Sequence, residues 1–522
     1  MRMADLIPGL SNYHILDPRQ VKNLEGILGI SRSFSTGAGI PETEGNPVTE
    51  RTIVLESGHQ PNFLPYPGVW KKAFLLDLLG RQLRSLGSDA VAAFGFADYN
   101  LSTASYLAQN QVPAFNKQGS ENIGFRIPDR DRWKCFHTLG KPPEERFQAE
   151  IGKIEAMYLS SMSILRIDPE VFRDRMSLLT RILESSYSRA RTFSDLNAFA
   201  FAGICSGILG LSLHFFRYTD VQKAGLFREA SARVLTGLGE YNARFNALLA
   251  HAGPGIAPVT EDDIPFWYEC QCGGKVRLAA PPSSPPGGTC PVCGREHRFP
   301  GGPGLIDLDG LYPRMSPNAV ARNIIFSEGL GTSLFISGTG GGLRYGKLAG
   351  AISRAMGFHE PVTLAWRSAD YYLGIAHRRA LRELTRTFPL REEDVTDPSL
   401  ADRIRDYRTG LERQIRDLRA GGGEGKVIQR LEGRLLNSSV QELMAKKVFT
   451  ITPSMLDLFL ACGPEHIRES WKTAAETAGI DPGEGQFPLM EGDILYPCGS
   501  GSPESTRRIH QAMKALEAGD GA

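Results

Sequence analysis

Two pairs of closely spaced cysteines are the most specific chemical signal in the chain. Cys270 and Cys272 are separated by one residue and followed by Gly273 and Gly274, while Cys290 and Cys293 are followed by Gly294. Four thiolates at one point complete a tetrahedral soft-ligand site with no open position, which suits structural Zn2+ and not hydrolysis. The glycines suit tight knuckle turns whose amides can hydrogen-bond the sulfurs. Pro281 to Gly288 is the connecting loop, and His297 is a spare ligand candidate. The competing reading is vestigial or redox-active cysteines. A closed site of this kind folds a small lobe or holds a protein partner.

Four further polar segments each follow an apolar run. The first is Glu56-Ser57-Gly58-His59-Gln60-Pro61-Asn62-Phe63, and the second is Asp98-Tyr99-Asn100. The third is Ser337-Gly338-Thr339-Gly340-Gly341-Gly342-Leu343-Arg344-Tyr345, and the fourth is Trp366-Arg367-Ser368-Ala369-Asp370. A glycine-rich turn entering a helix presents amides to an anion. This one is neither a Walker loop nor a dinucleotide fingerprint. His59 offers a base near neutrality, and Arg367 offers a fork for a carboxylate. The plainer readings are a hydrogen-bonded loop histidine and an ion pair from Arg367 to Asp370 or Glu360.

The elements that would position these segments are legible from periodicity. Thr52–Leu55 and Ala90–Phe96 read as strands, and Val69–Leu86 between them has a helical stripe of Leu75, Leu76, Leu79, Leu83 and Leu86. The pattern recurs as strand Ser333–Ser337, helix Tyr345–Met356 and strand Pro361–Trp366. Two βαβ units predict a parallel sheet whose strand ends converge on one crevice. That crevice should be a pocket of roughly 300–1,000 Å³ lined by Gly58, His59, Asp98, Gly340, Tyr345 and Arg367. In the tail, Leu400, Ile404, Tyr407, Leu411, Ile415 and Leu418 form a coiled-coil-like seam. Gly421–Gly425 breaks it, and Val427, Leu431, Leu435, Leu436, Val440 and Leu443 resume it. This predicts a helical hairpin and self-association as a homodimer; two ordinary surface helices are the alternative.

In the order and character of these segments, the chain resembles the cysteine-adding enzyme family of bacillithiol synthesis. Ser57-Gly58-His59-Gln60 takes the place of that family's Thr-Gly-Gln-Gln turn, and Ala97-Asp98-Tyr99-Asn100 loosely matches its Glu-Asp-His-Asp stretch. Ser337–Gly341 with Tyr345 resembles its Gly-Gly-Pro-Gly-Glu turn and following Tyr, and Leu311–Gly331 its approach to that turn. Trp366-Arg367-Ser368 resembles its Pro-Arg-x-Ser segment. The hairpin tail down to Met455–Ile467 also agrees. Gly341 stands where the family has an acid, and a zinc ribbon is not expected in typical members. His59-Gln60-Pro61-Asn62-Phe63-Leu64-Pro65 is also similar to the opening of the WbqC-like family, linked to surface sugars.

The elements and the resemblance together imply an α/β fold, a Rossmann-like parallel sheet with a helical insertion and a C-terminal helical hairpin, to which the cysteine spacing adds a zinc-ribbon insertion. The segments are 1–142 (first half of the core), 143–262 (helical insertion), 263–302 (zinc ribbon), 303–392 (second half of the core) and 393–522 (hairpin and tail). The resemblance implies a ligase joining cysteine or a similar amino acid to the amine of an amino-sugar conjugate, with the carboxylate activated most simply by ATP. His59, Asp98 and Arg367 would be catalytic. Gly58, Gln60, Asn100, Gly338, Gly340, Gly341, Tyr345 and Ser368 would bind substrate. The alternative is a non-catalytic scaffold on the same fold, with the ribbon recruiting a partner.

Composition bounds these readings. With 522 residues, 41% of them hydrophobic, the chain can bury a large core without staples. Lys plus Arg number 59 against 58 Asp plus Glu, so no broad charge favours nucleic acid, despite Arg295, His297 and Arg298 in the ribbon. Met1 to Leu10 lacks the pattern of a secretory leader, and the cysteines do not form a disulfide framework, which predicts a cytoplasmic protein. Leu196–Phe216 carries no Asp, Glu, Lys or Arg. Its Asn197, Ser212 and His214 favour a buried core helix over a membrane span.

Overall fold

The computed structural model describes residues 5–6, 14–45, 47–160, 168–249, 256–281, 284–300, 308, 310–482, 486–497 and 502–518. The first helix, α1 (Pro18–Ala38), starts on Asp17. Its carboxylate accepts from the Arg19 and Gln20 amides, and the Gln20 side chain reciprocates; the helix closes on Gly39 in the left-handed region. Then come β1 (Ile53–His59), α2 (Pro67–Ser85) and β2 (Ala90–Phe96), the expected βαβ unit. Strand β1 runs four residues further than its apolar run suggested, so Glu56, Ser57, Gly58 and His59 belong to the strand and not to the loop after it.

A small antiparallel hairpin of β3 (Gln109–Pro113) and β4 (Ser120–Gly124) precedes three helices. These are α3 (Glu144–Leu159), α4 (Pro169–Arg189) and α5 (Phe193–Gly207). The charge-free stretch Leu196–Phe216 divides into α5 and β5 (His214–Arg217), and no described helix is long and apolar enough to cross a membrane. Gly203 lets α5 sit against α4, since a Cβ there would lie 2.8 Å from Ile182 Cγ2. Helices α6 (Tyr218–Lys223), α7 (Arg228–Thr236) and α8 (Leu238–Leu248) follow. Strands β6 (Asp263–Glu269), β7 (Lys275–Ala279), β8 (Gly287–Thr289), β9 (Glu296–Arg298) and β10 (Met315–Pro317) make an antiparallel sheet in the order β10-β6-β7-β8-β9. The second half of the core is α9 (Ala319–Leu330), β11 (Leu334–Ser337), α10 (Gly341–Met356) and β12 (Val362–Arg367).

The chain ends with β13 (Asp370–Tyr371), α11 (Ile375–Thr387), α12 (Leu400–Ala420), α13 (Gly425–Thr450), α14 (Met455–Cys462) and α15 (Pro464–Thr477). After these come β14 (Gly479–Asp481), β15 (Leu489–Glu491), β16 (Ile494–Leu495) and α16 (Pro503–Ala518). Helices α12 and α13 are antiparallel: Arg419 pairs with Glu432 near the turn, and Arg408 with Glu442 farther from it.

The central sheet has seven strands in the order β14-β15-β12-β11-β1-β2-β5, every neighbouring pair parallel except β14–β15. The chain winds from β1 through β2 to β5, then restarts on the other side of β1 with β11, β12 and β15. The order therefore reverses between β1 and β11. The segment read as a helical insertion supplies edge strand β5, and the tail supplies β14 and β15. These strands are three or four residues long, too short to give a period of their own. The ribbon sheet likewise takes β10 from beyond residue 302.

Side chains alternate across the sheet. Leu55, Phe94 and Phe215 join a core with α2 and α5, in which Trp70 stacks on Phe201 with centroids 4.2 Å apart. Val54, Val91, Ala93 and Phe216 join a second core with α9, α10 and the ribbon strands. A third core holds α11, α12, α13 and α16 together.

Candidate functional site

The four ribbon cysteines converge. Cys270 Sγ is 3.7 Å from Cys293 Sγ, and Cys272 Sγ is 3.5 Å from Cys290 Sγ. Tetrahedral Zn–S bonds of about 2.3 Å place sulfurs about 3.8 Å apart, so the cluster fits zinc. The knuckles explain the fit. Gly273 (φ +83°) and Gly294 (φ +71°) take left-handed conformations, which glycine adopts at no steric cost. The amides of Cys272, Gly274 and Arg295 hydrogen-bond the sulfurs of Cys270, Cys272 and Cys293. Gly274 cannot be larger, because a Cβ would lie 2.5 Å from Cys290 Sγ. His297 is not a fifth ligand: its Nε2 lies 3.3 Å from Cys270 Sγ, where it supports the sulfur from outside the four.

At the central sheet, register brings the first and third polar segments together. Ser57 pairs with Ile336, so Gly58 and His59 run beside Ser337 and Gly338 at the reversal of strand order. Helix α10 begins there with no side-chain cap and no acid in its first turn, leaving its amide end open. Gly340 is exposed, and neither Gly338 nor Gly340 has a neighbour within 4 Å of a Cβ position. Tyr345 is half-buried at the edge of the core under α10. The need for Gly58 comes from packing, since a Cβ would lie 2.4 Å from the Tyr218 hydroxyl.

The other predicted residues are held elsewhere. Both carboxylate oxygens of buried Asp98 accept from Thr219, from its amide at 3.1 Å and from its hydroxyl, so Asp98 anchors the start of α6. Asn100 Nδ2 donates to the Ala97 carbonyl at 2.9 Å, closing a turn. Arg367 lies two strands from β1, is 60% exposed and pairs with Glu491 at 2.8 Å. The ion pair expected as its plainer reading is present, with Glu491 as partner in place of Asp370 or Glu360. Ser368 Oγ accepts from Lys71 Nζ at 2.6 Å. Gln60 contributes its carbonyl, 2.9 Å from His59 Nδ1.

Sequence reasoning gave no role to three buried charges, Glu56 within β1 and Lys71 and Lys72 on α2, or to the half-buried Arg322 on α9. Lys72 Nζ donates to the Gly58 carbonyl at 2.7 Å. Burial, then the charge of Arg322, lowers the Lys72 pKa to about 7. Burial, then Lys72, lowers His59 to about 3. Burial raises Glu56 to about 7, although Thr332 donates to it at 2.8 Å. Burial opposes the charge of Arg322, but Tyr99, Tyr218 and Glu56 outweigh it and raise its pKa. Lys71 forms a buried pair with Asp370 at 2.9 Å, and Asp370 also accepts from the Tyr496 hydroxyl at 3.0 Å.

The cavity over β1, β11 and β12 is about 20 Å³, room for about one water. Glu56, Tyr218, Arg322 and Thr363 line it, and His59 and Arg367 do not. A larger cavity of about 810 Å³ lies under the hairpin, between α12, α13 and α16. Cys135, Cys205 and the four ribbon cysteines are free thiols. Compared with family models and with curated proteins, the chain matches none.

Proposed function

We propose that the protein is a ligase condensing cysteine or a similar amino acid with the amine of an amino-sugar conjugate or related small molecule. The observation that carries this reading is the open amide end of α10 beside Gly58–His59, where the strand order reverses. Counted among its parallel strands, the sheet follows the 3-2-1-4-5-6 order of the Rossmann fold, whose ligands bind at this reversal. The amides of the glycine turn receive a carboxylate or phosphate, and ATP activates the carboxylate. Lys72, with a pKa near neutrality, takes the proton of the attacking amine. His59 is held neutral and acts as a hydrogen-bonding group; its lowered pKa makes it a poor base. The four-cysteine site holds zinc as a structural ion, the hairpin is a coiled coil that pairs two copies, and the protein works in the cytoplasm without contacting nucleic acid.

The test is incubation with ATP, cysteine and glucosamine-malate, following nucleotide cleavage and amide formation by mass spectrometry. Cysteine-dependent cleavage that Lys72→Met abolishes supports the reading; no amino-acid-dependent cleavage with any amine offered ends it. Two observations favour a second reading, a binding protein on this scaffold with the ribbon recruiting a partner. Gly341 stands where an acid is expected, and Asp98 and Arg367 are both engaged within the protein.

A further inference from the structure

We propose that Cys135, His137 and Glu269 form a second divalent-metal site of the zinc class, with three protein ligands and a fourth position open to solvent. One ligand atom from each lies within 4.8 Å of the other two. Backbone pairing between distant segments brings them together. On one side, the Phe136 amide donates to the Asn100 carbonyl at 2.8 Å, and the His137 amide to the Asp98 carbonyl at 3.0 Å. On the other, the Cys135 amide donates to the Gly273 carbonyl at 2.8 Å, and the Lys275 amide to the Trp133 carbonyl at 3.0 Å. Gly273 belongs to the first ribbon knuckle, so the strand that leads to Cys270 also delivers Glu269 to His137.

Thiolate, imidazole and carboxylate are a donor set that zinc accepts, and three protein ligands leave a coordination position free. Cys135 is buried at 1% exposure, while the His137 and Glu269 side chains keep 16% and 25%. The open side therefore faces solvent and provides both an entry path and room for a fourth donor, a water or a small soft or anionic ligand. His137 Nε2 lies 2.7 Å from a Glu269 oxygen, and its Nδ1 is buried with no hydrogen-bond partner. A simple His–Glu ion pair explains one edge of this triangle. It leaves the buried thiol at the third corner without a role. Charge is consistent within the ligand set, since a dication with one thiolate and one carboxylate is neutral.

The proposal does not depend on the ligase reading, and metal counting tests it. The full chain is reconstituted with Zn2+ alone, freed of loose metal by gel filtration, and assayed for zinc per chain. Two equivalents are expected, falling to one in Cys135→Ala and in His137→Gln. The rim substitution His137→Gln carries the test if the core change fails to fold. Reconstitution with Co2+ should show thiolate-to-metal absorption that loses about one part in five in Cys135→Ala. One zinc in the wild type, or two retained in the folded variants, overturns the site.

Discussion

Lys72→Met should make this protein more stable while removing whatever activity resides at the strand ends. Lys72 is 8% exposed and lies on the buried face of α2. Its pKa falls from 10.5 to about 7, chiefly through burial and then through Arg322. At about 1.4 kcal/mol per pH unit, holding the charged amine in the folded state costs about 5 kcal/mol below pH 7. The native state therefore binds fewer protons than the unfolded chain between pH 7 and 10.5, and wild-type stability rises with pH across that window. Methionine fills a similar volume without the charge, but it loses the hydrogen bond to the Gly58 carbonyl, worth about 2 kcal/mol. The net gain is about 3 kcal/mol at pH 6, vanishes near pH 9 and becomes a loss of about 1 kcal/mol at pH 10. For 522 residues, an unfolding entropy of about 2 cal/mol/K per residue makes this about 3 °C in Tm. The assay is thermal melting of both proteins at pH 6, 8 and 10, alongside nucleotide turnover. A variant destabilised equally at all three pH values would show that the amine is not desolvated and would remove Lys72 as the base.

Cys290→Ser with Cys293→Ser should lose one zinc equivalent and the amide protection of β6–β9; unchanged metal content would refute the four-cysteine site. His510, lowered to about 4 by burial and then Lys514, and His377, held well below its ordinary value by burial and then His510, are neutral in the native state. The unfolded chain protonates both near pH 6.5, so stability should be complete above that pH and fall toward pH 4, by about 3 kcal/mol for His510. A His510→Gln variant with the same acid profile as wild type would contradict this. Asp370→Asn should cost about 3–5 kcal/mol by stranding the Lys71 charge, and Lys71→Met with Asp370→Asn should recover part of it in denaturant melts. Leu436 and Leu443, 69% and 43% exposed on α13, should hold the dimer. Leu436→Glu with Leu443→Glu should give a monomer by light scattering, and a wild-type monomer would end the idea.

Much of the scaffold is visible in the sequence because the central strands are buried on both faces and read as unbroken apolar runs. Ala90–Phe96 falls on β2 residue for residue, and the a/d stripe and glycine break mark the two tail helices. What the sequence hides is what tertiary contact supplies. Strands β5, β14 and β15 exist because a longer neighbour offers them a ladder, and the end of β1 is extended by β2 although its residues are polar. The site divides in the same way. Cysteine spacing is a local signature, so the ribbon is legible. Asp98 and Arg367 look catalytic from their positions after strands, but whether a polar side chain is spoken for depends on Thr219 and Glu491, each more than a hundred residues away. The exposed Arg367–Glu491 pair is worth at most about 1 kcal/mol, so Arg367 stays near the strand ends at little energetic cost.

The stronger signal was a contradiction within the helix pattern. Lys72 precedes Leu75, Leu76, Leu79 and Leu83 on one stripe, so a lysine occupies a position where burial is certain. Glu56, directly after the apolar run of β1, is likewise buried. A chain selected for stability alone would place aliphatic residues at both positions, because a desolvated charge opposes folding. Here buried Glu56 and Lys72 and half-buried Arg322 sit beside one reversal of strand order, each with its pKa displaced. Structural ion pairs usually come matched, as Lys71 and Asp370 do. Lys72 instead faces a backbone carbonyl and a neutral histidine, with Arg322 adding a like charge. That arrangement destabilises the fold and keeps an uncharged amine available near pH 7, which is the property a proton acceptor at this crevice requires.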